Sequence, residues 1–533
     1  MKKAYPLLLS VLSGCIFSLA WPTAGFPLLL FFAFLPLFYI EELVKSSRNA
    51  GFQVWGYSYI AFLTWNLITT WWVYNSTAEG GLLAFSCNSL FMSWVYYLAF
   101  ITKRKFGDRL GNFALIIFWV AFEYMHMNWK LSWPWLTLGN GFARFPEWVQ
   151  WYEFTGVLGG SIWVIAMNIF LYRLIRNFSI KKTVAPALLT ILPIALSYVI
   201  YISYTEESNP VRIAVIQPNI DPYNEKFANG SQAAQFSKLL RLAQTLATPE
   251  TDYFVFPETA LPDGLWNFEI DTYPQFLSLR QFLSATPKAK IIIGGTYYEM
   301  FTGIPRENLP FSVSRLGKNG DYYDDYNAAF QIDTSRMISV YKKSKLVPGP
   351  ESYPLPEWTK PFQESMFKEI GGMMGNLGSQ KERSAFFAPD KPELGVGPII
   401  CYESIYGEFV TEYVQKGASL LFIITNDGWW GNSPGHRQHF QYARLRAVET
   451  RRSIARSANT GISGFINQRG DVIQQTPYWE EAAISETLNA NNKLTFYVKY
   501  GDYLGRGAVI LGSIIFLYLV IVLGGGFIKR KKA

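Results

Sequence analysis

Long apolar runs and shorter mixed runs divide the chain into two kinds of sequence. Eight runs are nearly free of charged residues, and each is long enough to cross the roughly 30 Å hydrocarbon core of a bilayer as a helix. The stretch between the seventh and eighth runs changes between apolar and polar residues over much shorter distances. The pattern predicts eight membrane helices, with one large polar domain before the last. The apolar runs lie at about residues 5–21, 25–41, 55–74, 80–102, 112–128, 157–175, 183–203 and 505–527.

The polar stretch is predicted to fold as an α/β domain. Residues 212–217 centre on an apolar, β-branched run of the kind found in buried strands, and residues 231–247 carry apolar side chains at helical spacing. Strand-like runs that alternate with helix-like runs are typical of α/β folds. Further strands are predicted at 253–256, 291–295, 328–332, 396–400, 420–424 and within 453–467, and a further helix at 436–452.

Clusters of Lys and Arg flank the apolar runs on one side only. Because such clusters stay in the cytoplasm, we predict that both termini are cytoplasmic and that the polar domain lies on the opposite face. The predicted organisation is seven membrane helices in 1–204, an extracytoplasmic domain in 205–503, and a last helix with a basic tail in 504–533. The clusters are Lys2 and Lys3; Lys45 and Arg48; Lys103, Arg104, Lys105 and Arg109; Arg173, Arg176, Lys181 and Lys182; and Lys529, Arg530, Lys531 and Lys532.

Composition and charge narrow the class of protein further. Of the 533 residues, 17% are charged, against about a quarter in an average soluble protein, and the formal net charge is +8. Much of the positive excess lies beside the apolar runs, so we predict the lipid bilayer as a partner and no nucleic acid. The interiors of the apolar runs contain almost no charged residue, apart from Glu123 near one end of its run, which argues against a transporter or a channel.

The few cysteines and histidines limit the chemistry that the chain can do. Cys15 and Cys87 lie in apolar runs, which excludes a disulfide framework. Cys401 lies in the polar domain and is either a buried small hydrophobe or a reactive thiol. His436 and His439 have a spacing that could hold a metal, but they lack the glutamate of a zinc-protease motif. We expect neither a metal nor another cofactor.

Three polar side chains follow predicted strands, where functional groups of α/β sheets gather. They are Glu258, Cys401 and Asn426. A thiol becomes nucleophilic when a base or a cation increases its thiolate fraction. Glu258 could take the thiol proton, and a lysine could stabilise an oxyanion. Taken singly, an acid or a lysine is more often a solvated surface charge. The candidate lysines are Lys342, Lys343 and Lys345.

Two further segments allow both a functional and a structural interpretation. The loop at 129–152 is rich in Trp and Tyr, as in an interfacial aromatic belt or in a lipid-facing vestibule. Residues 356–378 carry an apolar stripe that fits a lipid-facing lid or ordinary core packing. The pattern does not choose between the interpretations of either segment.

Three short motifs resemble the Glu-Lys-Cys set of the nitrilase superfamily. They are Phe-Pro-Glu at 256–258, Tyr-x-Lys-x-x-Leu-Val-Pro at 341–348 and Ile-Cys-Tyr-Glu at 400–403. With apolar spans before and after this domain, the chain is similar over nearly its whole length to the apolipoprotein N-acyltransferase family of that superfamily. Each motif is moderately specific, and their order and spacing make the resemblance strong. Other matching segments are 133–136, 156–161, 425–431, 456–461 and 497–502.

The resemblance implies a role for each residue of the site. Cys401 would be the nucleophile, Glu258 the general base and Lys343 the stabiliser of the oxyanion. It also implies an α-β-β-α sandwich for the polar domain. The residues expected to support the site or contact substrate are Glu351 as a second acid, Tyr402 and Glu403, Trp429 in an acyl pocket, Asn426, and Phe227.

The function implied by the resemblance is transfer of a fatty acyl chain. A ping-pong reaction through a thioacyl-enzyme would carry the chain from a membrane phospholipid to the N-terminal amine of a diacylglyceryl-cysteine apolipoprotein. The protein would act without a cofactor, as a monomer in the bacterial inner membrane, with the catalytic domain in the periplasm. Two departures affect local detail. The family has Phe-Gly where this chain has Gly349 and Pro350, and Trp where it has Phe227.

Two other functions fit part of the same pattern. A membrane-tethered amidase or nitrilase could use the same three residues to hydrolyse a small C–N substrate, since hydrolysis differs only in the second nucleophile. A membrane scaffold could retain a degenerate domain of this kind for binding. The long membrane part argues against the first, because a small soluble substrate does not need it. The intact Glu258, Lys343 and Cys401 argue against the second.

Overall fold

The chain forms two compact units. The computed structural model describes residues 4–531 except 229, 311, 317–320, 354–356 and 360–375. The first unit contains the residues up to Trp71, Gly81–Ile202 and the residues from Tyr500 onward, and the second contains Trp72–Gly80 and Ser203–Lys499. Most of the segment 356–378, for which a lid or core packing was considered, lies outside the described residues. The helices are α1 (Ala4–Leu19), α2 (Leu35–Val44), α3 (Ala50–Thr70), α4 (Val73–Ser76), α5 (Ala78–Phe106), α6 (Asp108–Asn128), α7 (Tyr152–Arg176), α8 (Ile180–Ser203), α9 (Gln232–Gln244), α10 (Pro274–Leu283), α11 (Gly407–Gln415), α12 (Pro434–Thr450), α13 (Phe496–Tyr500) and α14 (Tyr503–Lys531).

The first unit is helical, and each predicted apolar run overlaps one of its helices. The second run begins with a 3-10 turn at Pro27–Phe32 and continues into α2. Among the described residues, six segments are long and apolar enough to cross a membrane, and α1 is apolar but shorter. The chain therefore has a multi-helix membrane part, and the count of eight spans stays a prediction. The six segments are Pro27–Val44, Ala78–Phe106, Asp108–Asn128, Tyr152–Arg176, Ile180–Ser203 and Tyr503–Gly524.

Polar side chains join the helices of this unit at a few buried positions. Asn168 of α7 donates from Nδ2 to Leu30 O at 2.8 Å and accepts from Phe34 N at 2.9 Å. These bonds tie α7 to the backbone of the 3-10 turn and of the residue before α2. The Glu41 carboxylate of α2 accepts from Tyr96 Oη at 2.6 Å and pairs with Lys103 Nζ at 2.7 Å, both on α5. In surroundings this apolar, unpaired polar groups would be costly, so such bonds fix how the helices pack.

The second unit contains two β-sheets. The first has eight strands in the order β14-β1-β2-β4-β6-β5, with β3 also on β4 and β7 also on β6. Strands β1, β2 and β4 run parallel to one another. The strands of this sheet are β1 (Pro210–Gln217), β2 (Tyr253–Val255), β3 (Leu261–Trp266), β4 (Lys290–Phe301), β5 (Ser314–Leu316), β6 (Asp321–Ile332), β7 (Ile338–Lys342) and β14 (Ala482–Asn489).

The second sheet has six strands in the order β13-β12-β11-β10-β9-β8. Its central strands β9, β10 and β11 are parallel, and the outer pairs are antiparallel. The Ser457 hydroxyl on β11 donates to Ile216 O on β1 at 2.8 Å, which joins the two sheets directly. The strands are β8 (Phe386–Ala388), β9 (Lys391–Ile400), β10 (Ala418–Thr425), β11 (Ile454–Ala458), β12 (Gly464–Ile466) and β13 (Val472–Gln475).

The two sheets face each other between two helical layers. Along β1, Ile213 and Val215 point into the core shared with the second sheet, whereas Ala214 and Ile216 point into the core shared with α9 and α10. Strands buried on both faces are nearly continuous apolar runs, which is why the sequence predicted them. Helices α11 and α12 pack on the second sheet. The unit is thus an α-β-β-α sandwich, the predicted α/β nitrilase-like fold.

Candidate active site

Cys401 directly follows β9, at the carboxyl end of the parallel part of the second sheet. Its φ angle is +51°, a left-handed conformation that a residue with a Cβ adopts at a cost. The backbone therefore turns sharply out of the strand and into the short 3-10 helix Cys401–Ile405. Cys401 is partly exposed and packs against the core between the sheets. This geometry places the thiol at the end of a buried strand.

Glu258 and Lys343 reach the same place from the first sheet. Glu258 lies three residues beyond the end of β2, and Thr259 after it also has a φ of +51°. Lys343 directly follows β7, and its backbone N donates to Asn327 O of β6 at 2.8 Å. Three strand ends thus supply the cysteine, the carboxylate and the lysine.

The Lys343 ammonium lies between two carboxylates. Its Nζ is 3.3 Å from Glu258 Oε1 and 2.8 Å from Glu351 Oε1. The Asn327 amide donates to the same two oxygens, at 2.7 Å to Glu258 and 3.1 Å to Glu351. Each of these four side chains is more than nine-tenths buried. A buried ion pair with this many hydrogen bonds holds its members in fixed positions.

The other two candidate lysines point to different partners. Lys342 pairs with Glu299 at 2.5 Å, and its ammonium lies 4.4 Å from the centre of the Tyr326 ring. Lys345 lies over the Tyr406 ring at 4.7 Å, and burial lowers the pKa of this lysine to about 8. Among the described residues, Lys343 is therefore the candidate lysine that joins Glu258.

Glu351 reaches the site through a tight turn built on Gly349. Gly349 has a φ of +98°, which glycine adopts without strain. Its N donates to Ser352 O at 2.8 Å, and Glu351 N donates to Val347 O at 3.1 Å. The Glu351 carboxylate then accepts from Val347 N at 2.8 Å. The sequence Gly-Pro, where the family has Phe-Gly, thus forms a closed turn with the carboxylate aimed at Lys343.

The charges of the site favour a protonated thiol beside a fixed ammonium. Burial alone would lower the pKa of Lys343, but the Glu351 and Glu258 carboxylates outweigh it and raise that pKa. Burial raises the pKa of the Cys401 thiol, and the Glu258 carboxylate raises it further. The Lys343 charge offsets only part of this increase. The cysteine is therefore a thiol at neutral pH in the absence of substrate. A nucleophilic attack by Cys401 requires a base to take its proton during the step.

A second buried lysine lies beside the same carboxylate residue. Lys226 is 3% exposed, and its Nζ donates to the backbone oxygen of Glu258 at 3.2 Å. Burial lowers the pKa of Lys226 to about 8, although Glu258 and Cys401 act in the opposite direction. Phe227, predicted to contact substrate, follows it, and its ring centre lies 5.9 Å from Lys226 Nζ.

Glu403 is buried beneath Cys401 and holds the surrounding backbone. One carboxylate oxygen accepts from Ser344 N and from Tyr341 Oη, each at 2.7 Å. The other accepts from Ile400 N and from Tyr413 Oη, each at 2.9 Å. The carboxylate therefore joins the segment after Lys343 to the residue before Cys401. Tyr402, between Cys401 and Glu403, is itself 5% exposed.

A buried charge cluster lies behind the Cys401 carbonyl. His439 Nε2 is 3.2 Å from Cys401 O and 2.9 Å from Ser404 Oγ. His439 Nδ1 is 3.0 Å from the Asp427 carboxylate, which Arg456 binds at 2.6 Å on its other oxygen. Burial, followed by the Arg456 charge, lowers the pKa of His439, while the Asp427 carboxylate acts in the opposite direction. His436, the other member of the histidine pair, instead stacks on Tyr478 with ring centres 3.8 Å apart.

The two remaining predicted residues follow β10. The Asn426 Oδ1 accepts from Asn459 Nδ2 and Thr460 Oγ1, both at 3.2 Å, which fixes the orientation of its amide. Trp429 is partly exposed, and its ring meets the Tyr223 ring edge-on at 5.2 Å. Tyr223 Oη donates to Trp429 O at 2.8 Å. Hydrogen bonds thus hold both residues at the end of β10.

The segment Trp72–Gly80 supports the backbone around Trp429. Asn75 Nδ2 donates to Trp430 O at 2.9 Å, and the rings of Trp72 and Trp430 lie 4.7 Å apart. This segment connects two apolar runs, and its sequence alone carried no sign of such a role. Asn327 and Lys226 were also missed, since each is a single polar residue in a segment without a motif. Their neighbours, a β6 run of small apolar residues and Phe227, gave the only hints of burial.

The class of protein follows from a comparison of the α-β-β-α sandwich with known families. The model of the carbon-nitrogen hydrolase family matches residues 212–492, more than half of the chain, and the chain belongs to this family. The model of the apolipoprotein N-acyltransferase N-terminal domain matches residues 13–170, in the helical unit. Both matches confirm the resemblance found in the sequence.

Full-length relatives carry the same combination of parts. The chain is 29% identical to an apolipoprotein N-acyltransferase of Chlorobaculum tepidum, over 97% of each chain. It is 27% identical to one of Geobacter metallireducens, over 96% of this chain and 95% of the relative. It is 26% identical to apolipoprotein N-acyltransferase 1 of Treponema denticola, over 99% of this chain and 98% of the relative. The similarity thus extends through both units.

Proposed function

We propose that the protein transfers a fatty acyl chain from a membrane phospholipid to the N-terminal amine of a diacylglyceryl-cysteine apolipoprotein. One observation carries the proposal: a carbon-nitrogen hydrolase site with Cys401, Glu258 and Lys343 stands in the same chain as a helical unit that matches the N-terminal domain of apolipoprotein N-acyltransferases. Both substrates are lipids of the bilayer. A membrane-embedded chain therefore keeps the site where its substrates are.

The first half of the reaction acylates Cys401. Because the resting thiol is protonated, Glu258 takes the proton as Sγ attacks the carbonyl carbon of a phospholipid ester. The ammonium of Lys343, with a nearby backbone N–H, stabilises the oxyanion. The bond from the carbonyl carbon to the glycerol oxygen then breaks, and Glu258 returns its proton to that oxygen. The products are a thioacyl-enzyme and a lysophospholipid.

The second half transfers the acyl chain to the acceptor. The free amine of the apolipoprotein attacks the thioester carbon, and Glu258 takes a proton from the nitrogen. The carbon–sulfur bond breaks, and the proton passes from Glu258 to Sγ. An amide and the free thiol result, so the site returns to its starting state. Neither step requires a metal or a nucleotide.

The two carboxylates on Lys343 have different tasks in this mechanism. Glu351 binds Lys343 at 2.8 Å and is held by Val347 N, whereas the contact from Glu258 to Lys343 is longer, at 3.3 Å. Glu351 therefore compensates the lysine charge and leaves Glu258 available as the base. Glu403 positions the segments that carry Lys343 and Cys401. Tyr402, Asn426, Trp429 and Phe227 are proposed to support the site or contact the lipid chains.

The proposed membrane arrangement follows from the basic clusters. Eight spans place both termini in the cytoplasm of a bacterial inner membrane and residues 205–503 in the periplasm. Seven spans lie in 1–204 and the last lies in 504–533. Each chain carries one complete set of Glu258, Lys343 and Cys401 within a single unit, so we propose that it acts as a monomer.

Hydrolysis of a small C–N substrate is the second candidate function. The observation that favours it is the family itself, since the carbon-nitrogen hydrolase model matches 212–492. In that reaction water replaces the amine in the second step, and Cys401 and Glu258 keep their roles. The two functions therefore differ in what releases the acyl group.

Intact-mass analysis of the purified full chain tests the proposal. The wild type, Cys401→Ala and the matched control Cys87→Ala are incubated in detergent with phospholipid, and then with a diacylated lipopeptide. We expect one fatty-acyl increment on the wild type and on Cys87→Ala, and none on Cys401→Ala. The increment is expected to move to the lipopeptide amine when the acceptor is added.

Each other outcome contradicts the proposal in a different way. An acyl adduct that is released only to water would indicate the hydrolase. Absence of any adduct, while the Cys401 thiol still reacts with an alkylating reagent, would indicate a non-catalytic scaffold. An adduct on Cys401→Ala would place the nucleophile elsewhere.

A further inference from the structure

A basic cavity lies in the first unit, at the end of α7 and the start of α8. Its volume is about 510 Å³. Helix α2 contributes to its wall, as do the last turn of α5 and the first turns of α6. All residues that line it belong to the first unit, and none belongs to the site around Cys401.

Two of the cations that line the cavity already form ion pairs with carboxylates of the protein. Arg176 pairs with Glu42 at 3.0 Å, and Glu42 also lines the cavity. Lys103 pairs at 2.7 Å with Glu41, whose side chain is 8% exposed. These pairs join α2 to α5 and to α7, so they stabilise the wall of the cavity. They leave little charge for a ligand.

Three other cations lack such a partner. Arg173, Lys181 and Lys182 line the cavity and form no ion pair with any residue that the structure describes, and Asp108 is the one other carboxylate in its wall. Lys182 donates to Asn177 O at 3.1 Å, which holds its ammonium at the α7–α8 connection. Lys181 and Lys182 lie in the first turn of α8, where the helix dipole also favours an anion. The cavity therefore has excess positive charge.

The rest of the wall is largely apolar, with Asn112, Tyr172 and Asn177 among its polar members, and the apolar part decides which anion fits. A small inorganic anion would leave that surface exposed to water, whereas a lipid with an anionic headgroup would cover it with its acyl chains. Basic pockets between membrane helices recognise such headgroups. The apolar residues of the wall are Phe38, Ile169, Phe170, Leu174 and Ala185.

We propose that this cavity binds the headgroup of an anionic phospholipid, with its phosphate at Arg173, Lys181 and Lys182 and its acyl chains along the apolar wall. The site is non-covalent and separate from the acyl-donor site. It does not depend on the proposed acyl transfer, since all its residues lie in the first unit.

Native mass spectrometry of the full chain in detergent tests the site. The probes are dioleoyl phosphatidylglycerol, dioleoyl phosphatidylcholine and inorganic phosphate. The test variant carries Arg173→Ala, Lys181→Ala and Lys182→Ala, and the matched control carries Arg104→Ala, Lys105→Ala and Arg109→Ala. These control residues are also exposed, remove the same charge and lie outside the cavity.

We expect one tightly retained phosphatidylglycerol on the wild type and on the control. The test variant should bind it more weakly by on the order of 100-fold, since three basic contacts are lost. Equal weakening in the two triple variants would overturn the proposal in favour of general attraction to basic residues. Equal retention of phosphatidylcholine would also overturn it, and so would displacement of phosphatidylglycerol by millimolar phosphate, which would indicate a free-anion site.

Discussion

At the scale of single residues, the site depends on side chains whose charges are set by their neighbours. Lys343 remains an ammonium because two carboxylates outweigh its burial, and Cys401 remains a thiol because burial and Glu258 outweigh the lysine. The thiol is therefore deprotonated only during the attack, and the resting enzyme does not contain a thiolate. Such an arrangement protects a partly exposed cysteine from unwanted reactions.

Lys226 is expected to increase the reactivity of Cys401 through its charge. Lys226→Met removes a cation next to the Glu258 turn, so the pKa of the Cys401 thiol should rise and alkylation by iodoacetamide at pH 7 should slow several-fold. Lys226→Arg should recover much of the rate. The surface variant Lys238→Met is the control, since Lys238 pairs with Glu481 instead.

The pH profile separates a charge effect from a structural one. Burial lowers the pKa of Lys226 to about 8, so the wild type loses this charge as the pH rises through that value. The difference in alkylation rate between wild type and Lys226→Met should therefore shrink above pH 8. A difference that stays constant from pH 6 to pH 10 would contradict the charge mechanism.

At the scale of elements, strand ends and turns carry the site. Cys401 and Thr259 both adopt a left-handed φ directly at or beside the reactive groups, and Gly349 does so in the turn before Glu351. Strained or unusual backbone is tolerated where the surrounding structure determines it. Here the surrounding structure is the Glu403 carboxylate and the Asp427–His439 cluster, which hold both sides of the Cys401 turn.

Gly349→Ala is expected to impair acylation while the fold persists. A Cβ at a φ of +98° is strained, by about 1–2 kcal/mol in the left-handed region. The turn should relax and move the Glu351 carboxylate from Lys343, so formation of the acyl-enzyme should slow roughly tenfold. Rapid-quench intact-mass kinetics measures the rate.

Gly303→Ala is the matched control for this turn. Gly303 also has a positive φ, +72°, and nothing would contact its Cβ within 4 Å. It should therefore suffer similar backbone strain without an effect on acylation. Equal slowing in both variants would mean that general destabilisation, and not the Glu351 contact, explains the result.

At the scale of the whole molecule, buried charge in the second unit makes its stability depend on pH. His436 is fully buried, and burial lowers its pKa to about 4 from an ordinary value of 6.5. Between these values the unfolded chain binds more protons than the folded one, so stability is complete above pH 6.5 and falls as the pH decreases toward 4. Asp324 acts in the opposite direction, because burial raises its pKa to about 6.

His436→Gln should remove the histidine part of this dependence. Relative to the variant, the wild type should lose roughly 3 kcal/mol of its free energy of unfolding between pH 7 and pH 4. A histidine pKa that burial lowers from 6.5 to about 4 corresponds to a loss of this size. The measurement is the unfolding temperature of the full chain in detergent as a function of pH. Parallel curves for wild type and variant would show that His436 does not titrate as its burial implies.

The sequence by itself determined the architecture. Long apolar runs and doubly buried strands depend only on local composition and spacing, which is why the membrane part and the α/β class of the polar domain were predictable. The order of three short motifs supplied the family resemblance, which implied the sandwich and the candidates Glu258, Lys343 and Cys401. Weakly patterned strands such as β3, β7 and β14 were not predicted. Their partners lie far away in sequence, and pairing rather than propensity forms them.

Only the tertiary structure decided which groups surround the site residues and how their charges compensate one another. It brought Lys226, Asn327 and the Trp72–Gly80 segment to the site residues, and it shows the Lys343 ammonium 3.3 Å from the Glu258 carboxylate. It also turned a histidine pair with metal-like spacing into two separate contacts, one to Asp427 and one to Tyr478. The physical reason is that burial and distance set the charge of a group. Both arise from contacts between residues far apart in sequence, which no local pattern encodes.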